Sequence, residues 1–385
     1  MTKRLYLLLG TTVVICGLLL AAVFVPTGSD ASSRLNLIVE EPAAPPGGMV
    51  WIPGGSFVMG TAELVTKENP DRIKLDESPA HPVELDGYWM DETPVTNRQF
   101  AEFVEMTGYV TFAEKNLTKA DFAARGVDTA SFPDEMIEAG SLCFNNSFDE
   151  KSLITGVTGW EYQVWHIVDG ANWKHPDGPD STIEDRMDHP VVHVAWEDAV
   201  AYCEWAGKRL PTEAEFEYAS RSGGKDLKYP WGEELVPDGK HMANFWQGTF
   251  PTDRRNEDGY LTTSPVKAFP PNELGLYDIA GNVWEWCADL YNEDYYTMSP
   301  RRNPKGPNIS YDHSEPGLVK RVQRGGSFLC NTNNCTGYRT RARMRGDVAS
   351  SSFHNGFRTV LDPSMLEDYR AAQAKIEEWR IRNWD

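Results

Sequence analysis

Apolar residues follow helical spacing in only four stretches of this chain. The first stretch begins at a capping box formed by Thr96 and Gln99 and ends at Gly108. Apolar positions three and four apart predict a second helix over about 196–206, which Gly207 ends. Both segments therefore carry start and stop signals that agree with their apolar pattern.

The other two predicted helices lie further along the chain. Thr212 and Glu215 form a capping box that opens a third helix. Ser364 and Glu367 open a charged fourth helix that runs to about Trp384, with only a loose apolar stripe. Outside these segments the pattern predicts short strands and loops.

Two apolar stretches predict strands. Residues 50–59, VWIPGGSFVM, predict a strand, a turn at Pro53-Gly54-Gly55 and a returning strand. The segment HPVVH places His189 and His193 on one side of a second predicted strand, since positions four apart share a side. A zinc site would need a third ligand that this neighbourhood does not offer, so we expect ordinary hydrogen-bonded histidines.

The chain begins with a short basic segment and a long apolar run. Lys3 and Arg4 precede apolar residues that extend from Leu5 to Val25, a length that fits either a signal peptide or a membrane anchor. With the positive end inside, the residues after about position 30 are expected outside the cytoplasm, tethered by the apolar segment.

Composition then suggests four regions. We expect a signal peptide or anchor at 1–25, a flexible linker rich in Pro, Ser and Ala at 26–48, a globular domain at 49–362 and a helix at 363–385. The net charge of −20 argues against nucleic acid as a partner, because phosphate binding needs clustered Lys and Arg.

The 32 Gly, 25 Pro and 13 Trp residues predict a chain that is largely irregular loop packed around aromatic side chains. No G-x-S-x-G, P-loop or dinucleotide motif occurs, which disfavours phosphoryl and hydride transfer. A loop-rich domain needs internal cross-links, and its few cysteines supply too few. We therefore expect bound metal ions.

Cys330 and Cys335 lie five residues apart in a polar loop, RGGSFLCNTNNCTGYR. The pair could be a disulfide, a metal clip or a redox centre. Two thiolates suit copper(I), which accepts low coordination numbers and leaves a position open for a third thiolate, whereas zinc normally takes four ligands. Five nearby arginines are expected to lower the pKa of the thiols: Arg324, Arg339, Arg341, Arg343 and Arg345. The expected exported part holds an odd number of cysteines, so at least one has no intramolecular disulfide partner.

Two segments offer oxygen ligands beside glycine, as calcium sites do. The first combines residues 243–248 with 256–260, and in the second Asp278 and Glu285 bracket Gly281. Each signal is weak by itself, because acidic residues beside glycine more often form solvated turns.

Taken together, these residues resemble the formylglycine-generating enzyme family, also called sulfatase-modifying factors. The resemblance runs from about 49 to 360 through MVWIPGGSFVMG, DETPVTNRQFAEFV, GKRLPTEAEFE, NELGLYDIAGNVWEW, RGGSFLCNTNNCTGYRTRARM and NGFR. It implies a single loop-rich α+β domain of the C-type-lectin-like type. The implied activity oxidises a cysteine in a C-x-P-x-R motif of an unfolded or nascent sulfatase polypeptide to Cα-formylglycine, using copper and molecular oxygen. A monomer is expected.

The resemblance also implies roles for individual residues. Cys330 and Cys335 would bind copper(I), and Ser327 and Trp284 would line the oxygen and substrate pocket. One calcium site would consist of Asn244, Asp258 and the carbonyls of Phe245 and Tyr260. A second calcium site would consist of Asp278, Glu285 and the carbonyls of Gly281 and Val283.

Some positions depart from the family pattern. Thr340 and Thr359 stand where animal relatives have disulfide cysteines, so Cys203 is expected to be a free thiol buried on its helix. Asn334 replaces a residue that is aromatic in some relatives, and His354 stands near the expected pocket where another polar residue is common. These changes leave the preferred substrate sequence open.

Two other functions remain as alternatives. The first is a non-catalytic, membrane-tethered binding or assembly protein on the same fold, in which the two cysteines would be dispensable. The second is a relative that uses histidine-bound iron for sulfur insertion, although such enzymes normally carry an extra helical domain. A fold by itself does not decide among these functions, so the site must.

Overall fold

Short strands and loops dominate the computed structural model, which describes residues 40–63, 74–125, 129–130, 137–145, 151, 153–154 and 163–383. Its helices in this part are α1 (Asn97–Thr107), α2 (Lys119–Ala124), α3 (Trp196–Ala206), α4 (Glu213–Ser220) and α5 (Leu366–Asn383). Its strands are β1 (Met49–Ile52), β2 (Gly55–Met59), β3 (His81–Leu85), β4 (Tyr88–Asp91), β5 (Gly140–Phe144), β6 (Trp165–Asp169), β7 (Trp284–Leu290), β8 (Lys320–Arg324), β9 (Met344–Asp347), β10 (Asn355–Gly356) and β11 (Val360–Leu361). The loop-rich α+β class is confirmed.

The helices begin and end close to where the local sequence predicts. The Thr96 hydroxyl accepts a hydrogen bond from the Gln99 amide at the start of α1, and Thr212 does the same for Glu215 at α4. Gly108 and Gly207 end α1 and α3 in the left-handed conformation, with φ of 68° and 69°. The short helix α2 was not predicted, because its six residues bury no side chain and so carry no apolar stripe.

The strands of residues 50–59 do not form the predicted pair. β1 pairs antiparallel with β4, which also pairs with β11, whereas β2 pairs with β3 in a separate two-stranded sheet. The turn at Pro53-Gly54 therefore passes the chain from one sheet to another. The error arises because a local pattern predicts strands but not their partners.

A four-stranded sheet in the order β10-β7-β8-β9 positions the candidate site. β7 and β8 are antiparallel, with Glu285 opposite Arg324, so the first residues of β7 lie beside the last residue of β8. β10 is parallel to β7 and places Asn355 opposite Trp284. The start of β7, the end of β8 and the residue before β10 thus meet at one end of the sheet.

Buried ion pairs join this sheet to α4. The guanidinium of Arg324, at the end of β8, donates to Glu213 at 3.2 Å and to Glu217 at 2.7 Å. Arg343 makes two further bonds to Glu213, at 2.7 and 2.8 Å. Burial raises the pKa of Glu217, but the charges of Arg324 and Arg221 outweigh burial and leave that pKa below its ordinary value.

The segment HPVVH is not a strand, which corrects the sequence prediction. Pro190 forms one isolated bridge, to Thr96, and the residues after it are irregular. His189 bonds to the Thr263 hydroxyl, while His193 bonds to Ser141 and to a backbone carbonyl. The two histidines therefore have different partners, and the expectation of ordinary hydrogen-bonded histidines is confirmed.

The chain before β1 packs against the domain in its described part. Glu41 accepts a 2.7 Å hydrogen bond from the Trp89 indole, and the Gly48 carbonyl accepts one from Glu92. The last residues of the predicted linker 26–48 are thus in contact with the fold. Residues 1–25, the predicted signal peptide or anchor, lie outside the described residues. Among the helices that are described, each is too short or too polar to cross a membrane.

Replacing Glu217 by Ala is expected to lower the free energy of unfolding by about 3–5 kcal/mol, because buried Arg221 and Arg324 would each lose a carboxylate partner, at 3.0 and 2.7 Å. Urea unfolding monitored by tryptophan fluorescence measures this change. Glu378→Ala is the matched control: it removes a carboxylate whose partner is exposed Arg382, and such pairs contribute little to stability. Equal losses in the two variants would contradict the role of the buried network.

Candidate active site

The cysteine loop, residues 325–337, leaves the end of β8 through two glycines in the left-handed region. Gly325 and Gly326 have φ of 88° and 74°, values that L side chains rarely adopt. A Cβ at Gly326 would lie 2.6 Å from the carbonyl carbon of Gly337. The two ends of the loop therefore touch through backbone, which requires glycine at position 326.

Cys330 and Cys335 are joined by a disulfide, with their Cα atoms 4.6 Å apart. Cys330 is buried and Cys335 is half-buried. The Cys330 amide donates to the Ser327 carbonyl at 2.9 Å and the Cys335 amide to the Asn331 carbonyl at 3.1 Å, so two tight turns direct the sulfur atoms toward each other. Of the alternatives that the sequence left open, the structure has the disulfide.

Asparagine side chains fasten the cysteine loop to the neighbouring segment 246–250. The amide of Asn331 donates to the Gly248 carbonyl at 3.0 Å. Asn333 accepts from the Phe250 amide at 3.2 Å and donates to its carbonyl at 3.4 Å. These bonds take the place of a strand ladder, because a side-chain amide, like a peptide group, can both donate and accept hydrogen bonds. This role of the asparagines was not predicted from the sequence.

Trp284 and Ser327 lie beside the disulfide, as the resemblance implies. Trp284 is buried and packs in one cluster with Cys330 and Tyr338. Its ring fills the space next to Gly337, where a Cβ would collide with it. Ser327 is fully buried, and its Oγ lies 3.0 Å from the Nδ1 of His354. The end of the sheet thus brings four of the predicted site residues together.

His354 is the additional residue at this site. Its backbone carbonyl accepts a 2.8 Å hydrogen bond from the Trp284 amide, which follows from its position next to β10. Burial, together with a smaller effect of the charge of His193, lowers the pKa of its imidazole to about 3, so the ring is neutral at physiological pH. Its location before NGFR was the only sequence signal for a role here.

The five arginines near the cysteine loop are each paired with a carboxylate, and their effect on the pKa of the two thiols stays a prediction. Arg339 binds Glu77 through two bonds of 2.7 Å, and Arg341 binds Asp226. Arg345 binds Asp312 at 3.0 Å, while Arg324 and Arg343 bind the α4 carboxylates. Within the described residues, none of their hydrogen bonds reaches either cysteine.

The first predicted calcium site contains a buried oxygen without a partner. Asn244 is buried, and its Oδ1 accepts no hydrogen bond within the described residues. Asp258 accepts from the amides of Phe245 at 3.2 Å and Tyr260 at 2.9 Å, so the four predicted ligand residues are neighbours. Burial raises the pKa of Asp258, and a cation here would offset that cost. The donor set therefore fits a hard cation.

The second predicted calcium site contains two buried carboxylates. Burial raises the pKa of Asp278 to about 6. Burial also raises the pKa of Glu285, and the charge of Asp278 adds to that shift even though Arg358 binds Glu285 through bonds of 2.7 and 2.8 Å. Asp278 and Asn282, on either side of Gly281, have positive φ of 51° and 59°. The two buried carboxylates thus affect each other's charge, an arrangement that also fits a cation.

Among the described residues, the other cysteines are free and buried, namely Cys143, Cys203 and Cys287. The expectation for Cys203 is confirmed, and burial raises the pKa of its thiol well above the ordinary range. The Thr340 hydroxyl donates a hydrogen bond to the Leu227 carbonyl, and the Thr359 hydroxyl donates one to Asp91. Each of the two positions at which a disulfide cysteine is absent is thus held by a hydrogen bond.

Comparison with known proteins agrees with this geometry. The model of the "Sulfatase-modifying factor enzyme 1-like domain" matches residues 35–363. The formylglycine-generating enzyme of Thermomonospora curvata is 47% identical over 320 residues, covering 82% of this chain and 94% of the relative. The Bos taurus formylglycine-generating enzyme is 42% identical over 342 residues, covering 87% and 82%.

A further relative has a different name. The protein called "Inactive C-alpha-formylglycine-generating enzyme 2" of Bos taurus is 38% identical over 313 residues, covering 80% of this chain and 86% of that protein. Both kinds of relative match along most of their length, and the family model covers nearly the whole globular part. The chain therefore belongs to the sulfatase-modifying factor family, the family of the formylglycine-generating enzymes.

Proposed function

We propose that this protein oxidises a cysteine within a C-x-P-x-R motif of an unfolded or nascent sulfatase to Cα-formylglycine, with copper(I) at Cys330 and Cys335 and molecular oxygen as oxidant. The observation that carries the proposal is the convergence of these two cysteines with Trp284 and Ser327 at one end of the sheet. The proposal draws further support from relatives that are named formylglycine-generating enzymes.

The cysteine pair fits copper(I) once its disulfide is reduced. Reduction would leave two sulfur ligands on Cα atoms 4.6 Å apart, held by the turns at Ser327 and Asn331. Such a soft pair suits copper(I), which supplies the one-electron chemistry with oxygen and can accept a third thiolate from the client. Cys335 is half-buried whereas Cys330 is buried, so a client thiol would approach the pair from the side of Cys335.

The electron balance identifies a further reactant. Converting the client's –CH₂–SH to –CHO, with water entering and sulfide leaving, removes two electrons. Full reduction of oxygen to water takes four electrons, so a thiol reductant must supply the other two. The same class of reagent would open the Cys330–Cys335 disulfide. The overall reaction consumes one client thiol, one oxygen molecule and two reducing equivalents, and yields aldehyde, sulfide and water.

The surrounding residues would hold this chemistry in a fixed, dry position. Trp284 is buried against Cys330 and excludes water from one side of the sulfur. The amides of Asn331 and Asn333 keep the loop from shifting when the disulfide opens, because their bonds to Gly248 and Phe250 do not depend on it. The loop can therefore stay organised in its reduced form.

We also propose two structural calcium ions, at the sites of Asn244 and of Asp278. The Asn244 Oδ1, which has no hydrogen-bond partner among the described residues, and the raised pKa of the Asp278 carboxyl support them. The backbone carbonyl of Asn244 accepts a hydrogen bond from the Asn282 amide. The backbone carbonyl of Asn282 in turn accepts one from the amide of Phe328, which lies in the cysteine loop. Bound cations would therefore stiffen the segment that carries the sulfur ligands.

We further propose that the protein acts outside the cytoplasm on exported sulfatases, held at the membrane by its apolar N-terminal segment. The support is the run from Leu5 to Val25 behind Lys3 and Arg4. A reaction that needs oxygen and ends in an aldehyde is compatible with this compartment.

A non-catalytic scaffold is the second candidate, favoured by the relative that is named inactive. In that case the Cys330–Cys335 disulfide would be a permanent structural bond, and its removal would affect stability alone. The two functions differ in whether the reduced protein takes up copper and turns over a client peptide.

Cys330→Ser and Cys335→Ser are each expected to reduce peptide oxidation to below about 1% of the native rate, since loss of a ligand should exceed the ~10–100-fold cost of changes around a metal site. The assay supplies the reduced protein with copper(I), oxygen, a thiol and a peptide containing C-T-P-S-R, and follows the thiol-to-aldehyde mass change. Copper uptake by the reduced protein is measured in parallel. Cys203→Ala, which removes a buried thiol elsewhere, is the control and should retain both. Full turnover in either serine variant would refute the copper proposal.

Removal of calcium by a chelator is expected to lower the Tm of the native protein, because a ligand bound only to the folded state stabilises it. Asp278→Ala should start from a lower Tm and lose only part of the chelator response, while Asp258→Ala combined with Asp278→Ala should lose all of it. Differential scanning calorimetry measures these shifts. Asp185→Ala, at an exposed carboxylate, should respond as the native protein does. A chelator response that persists in the double variant would contradict both sites.

A further inference from the structure

Ser327 and His354 form a hydroxyl–imidazole pair beside the cysteine loop. Ser327 is fully buried, and within the described residues its Oγ has two partners. These are the Nδ1 of His354 at 3.0 Å and the backbone N–H of Leu329 at 3.3 Å. The N–H can only donate, so Nδ1 is the acceptor that remains for the hydroxyl hydrogen. A buried hydroxyl without an acceptor would lower the stability of the folded state.

This pairing determines the tautomer of the imidazole. A nitrogen that accepts a hydrogen bond carries no proton, so a neutral ring must hold its hydrogen on Nε2. Burial lowers the pKa of His354, which keeps the ring neutral at the working pH. Nε2 makes no hydrogen bond to any described residue, and His354 is only half-buried. An N–H donor is therefore available at the edge of the site.

The ring that carries this donor is held in place from several directions. Its ring centroid lies 5.1 Å from that of Trp165 and 5.5 Å from that of Phe353, on which it stacks at 26°. The Trp284 amide binds its backbone carbonyl. Trp165 is itself half-buried, so the imidazole and the indole together form part of the rim around Ser327. The direction of the Nε2–H bond is consequently fixed before any ligand arrives.

We propose that His354 is a positioning residue, which orients the Ser327 hydroxyl through Nδ1 and binds a backbone carbonyl of the client peptide through Nε2–H. An extended polypeptide offers carbonyl acceptors along its whole length, and a neutral N–H donor matches a neutral carbonyl. The identity of the client rests on the proposed function. The Ser327 bond and the tautomer do not, because they follow from the geometry of this chain.

The tautomer is tested by NMR on the full-length protein labelled with ¹⁵N-histidine, which contains only eight histidines. The His354 signals, assigned from their absence in His354→Asn, are expected to show protonated Nε2 and unprotonated Nδ1. Ser327→Ala removes the donor and should shift the Nδ1 resonance, while the exposed His313 stays unchanged as an internal control. A proton on Nδ1, or a Nδ1 signal that is insensitive to Ser327→Ala, would overturn the assignment.

The client contact is tested by kinetics on three variants. His354→Leu is expected to raise KM about tenfold, since 1.4 kcal/mol of lost hydrogen bonding is a factor of ten. His354→Asn, whose amide can both accept and donate, should stay within about threefold of native. His313→Asn is the control. Equal KM values in His354→Leu and native protein, with Tm unchanged, would overturn the contact.

Binding of an unreactive peptide separates this inference from the proposed function. The peptide has serine in place of the client cysteine, and fluorescence anisotropy gives its Kd for each variant. A weaker Kd in His354→Leu alone supports the contact even if no aldehyde forms. If the native protein neither oxidises nor binds the peptides, the proposed function and the client contact both fail, while the NMR result still decides the pairing of Ser327 with His354.

Discussion

The ion pairs that Arg324 makes with Glu213 and Glu217 fix the point from which the cysteine loop departs. Arg324 is the last residue of β8, and Gly325 follows it directly. Its buried guanidinium ties the sheet to α4 and also donates to the Thr340 carbonyl beyond the loop at 2.7 Å. One side chain therefore holds both sides of the loop. Buried pairs of this kind add little net stability over apolar packing, so we interpret this network as a device that specifies position.

Beyond that point, single backbone hydrogen bonds, rather than long β-ladders, position the segments around the cysteine loop. The amide of Gly281 binds the Gly325 carbonyl at 2.8 Å, and the amide of Trp246 binds the Cys330 carbonyl at 3.0 Å. The candidate calcium ligands lie in these same two segments, one next to each bond. A chain with so little regular structure must satisfy its buried backbone groups through such contacts. A cation bound at either segment would thus influence the position of the cysteine sulfur atoms through a few backbone hydrogen bonds.

The features that the sequence predicted well are those that depend on neighbouring residues. The capping boxes at Thr96 and Thr212 set their helix starts, because the hydrogen bonds involved span three residues. The predicted pairing of β1 with β2 was wrong, because strand pairing depends on residues that are far apart in the sequence. The carboxylate partners of the arginines could not be predicted for the same reason: a buried guanidinium needs a carboxylate, and Glu77 lies 262 positions from Arg339. The Ser327–His354 bond depends equally on tertiary structure, so the sequence could indicate only the region.

Arginine and calcium are not competing explanations for how this loop-rich domain is held together. Glu285 is bound by Arg358 through both oxygens, yet a carboxylate offers about four lone-pair sites, so a cation can share it. Burial leaves the pKa of Glu285 raised despite Arg358, and the charge of Asp278, the second buried carboxylate, adds to that shift. A divalent ion beside the pair would balance that second charge. The arginine therefore positions Glu285, and a cation at the proposed site would be attracted by the negative charge that Arg358 leaves uncompensated.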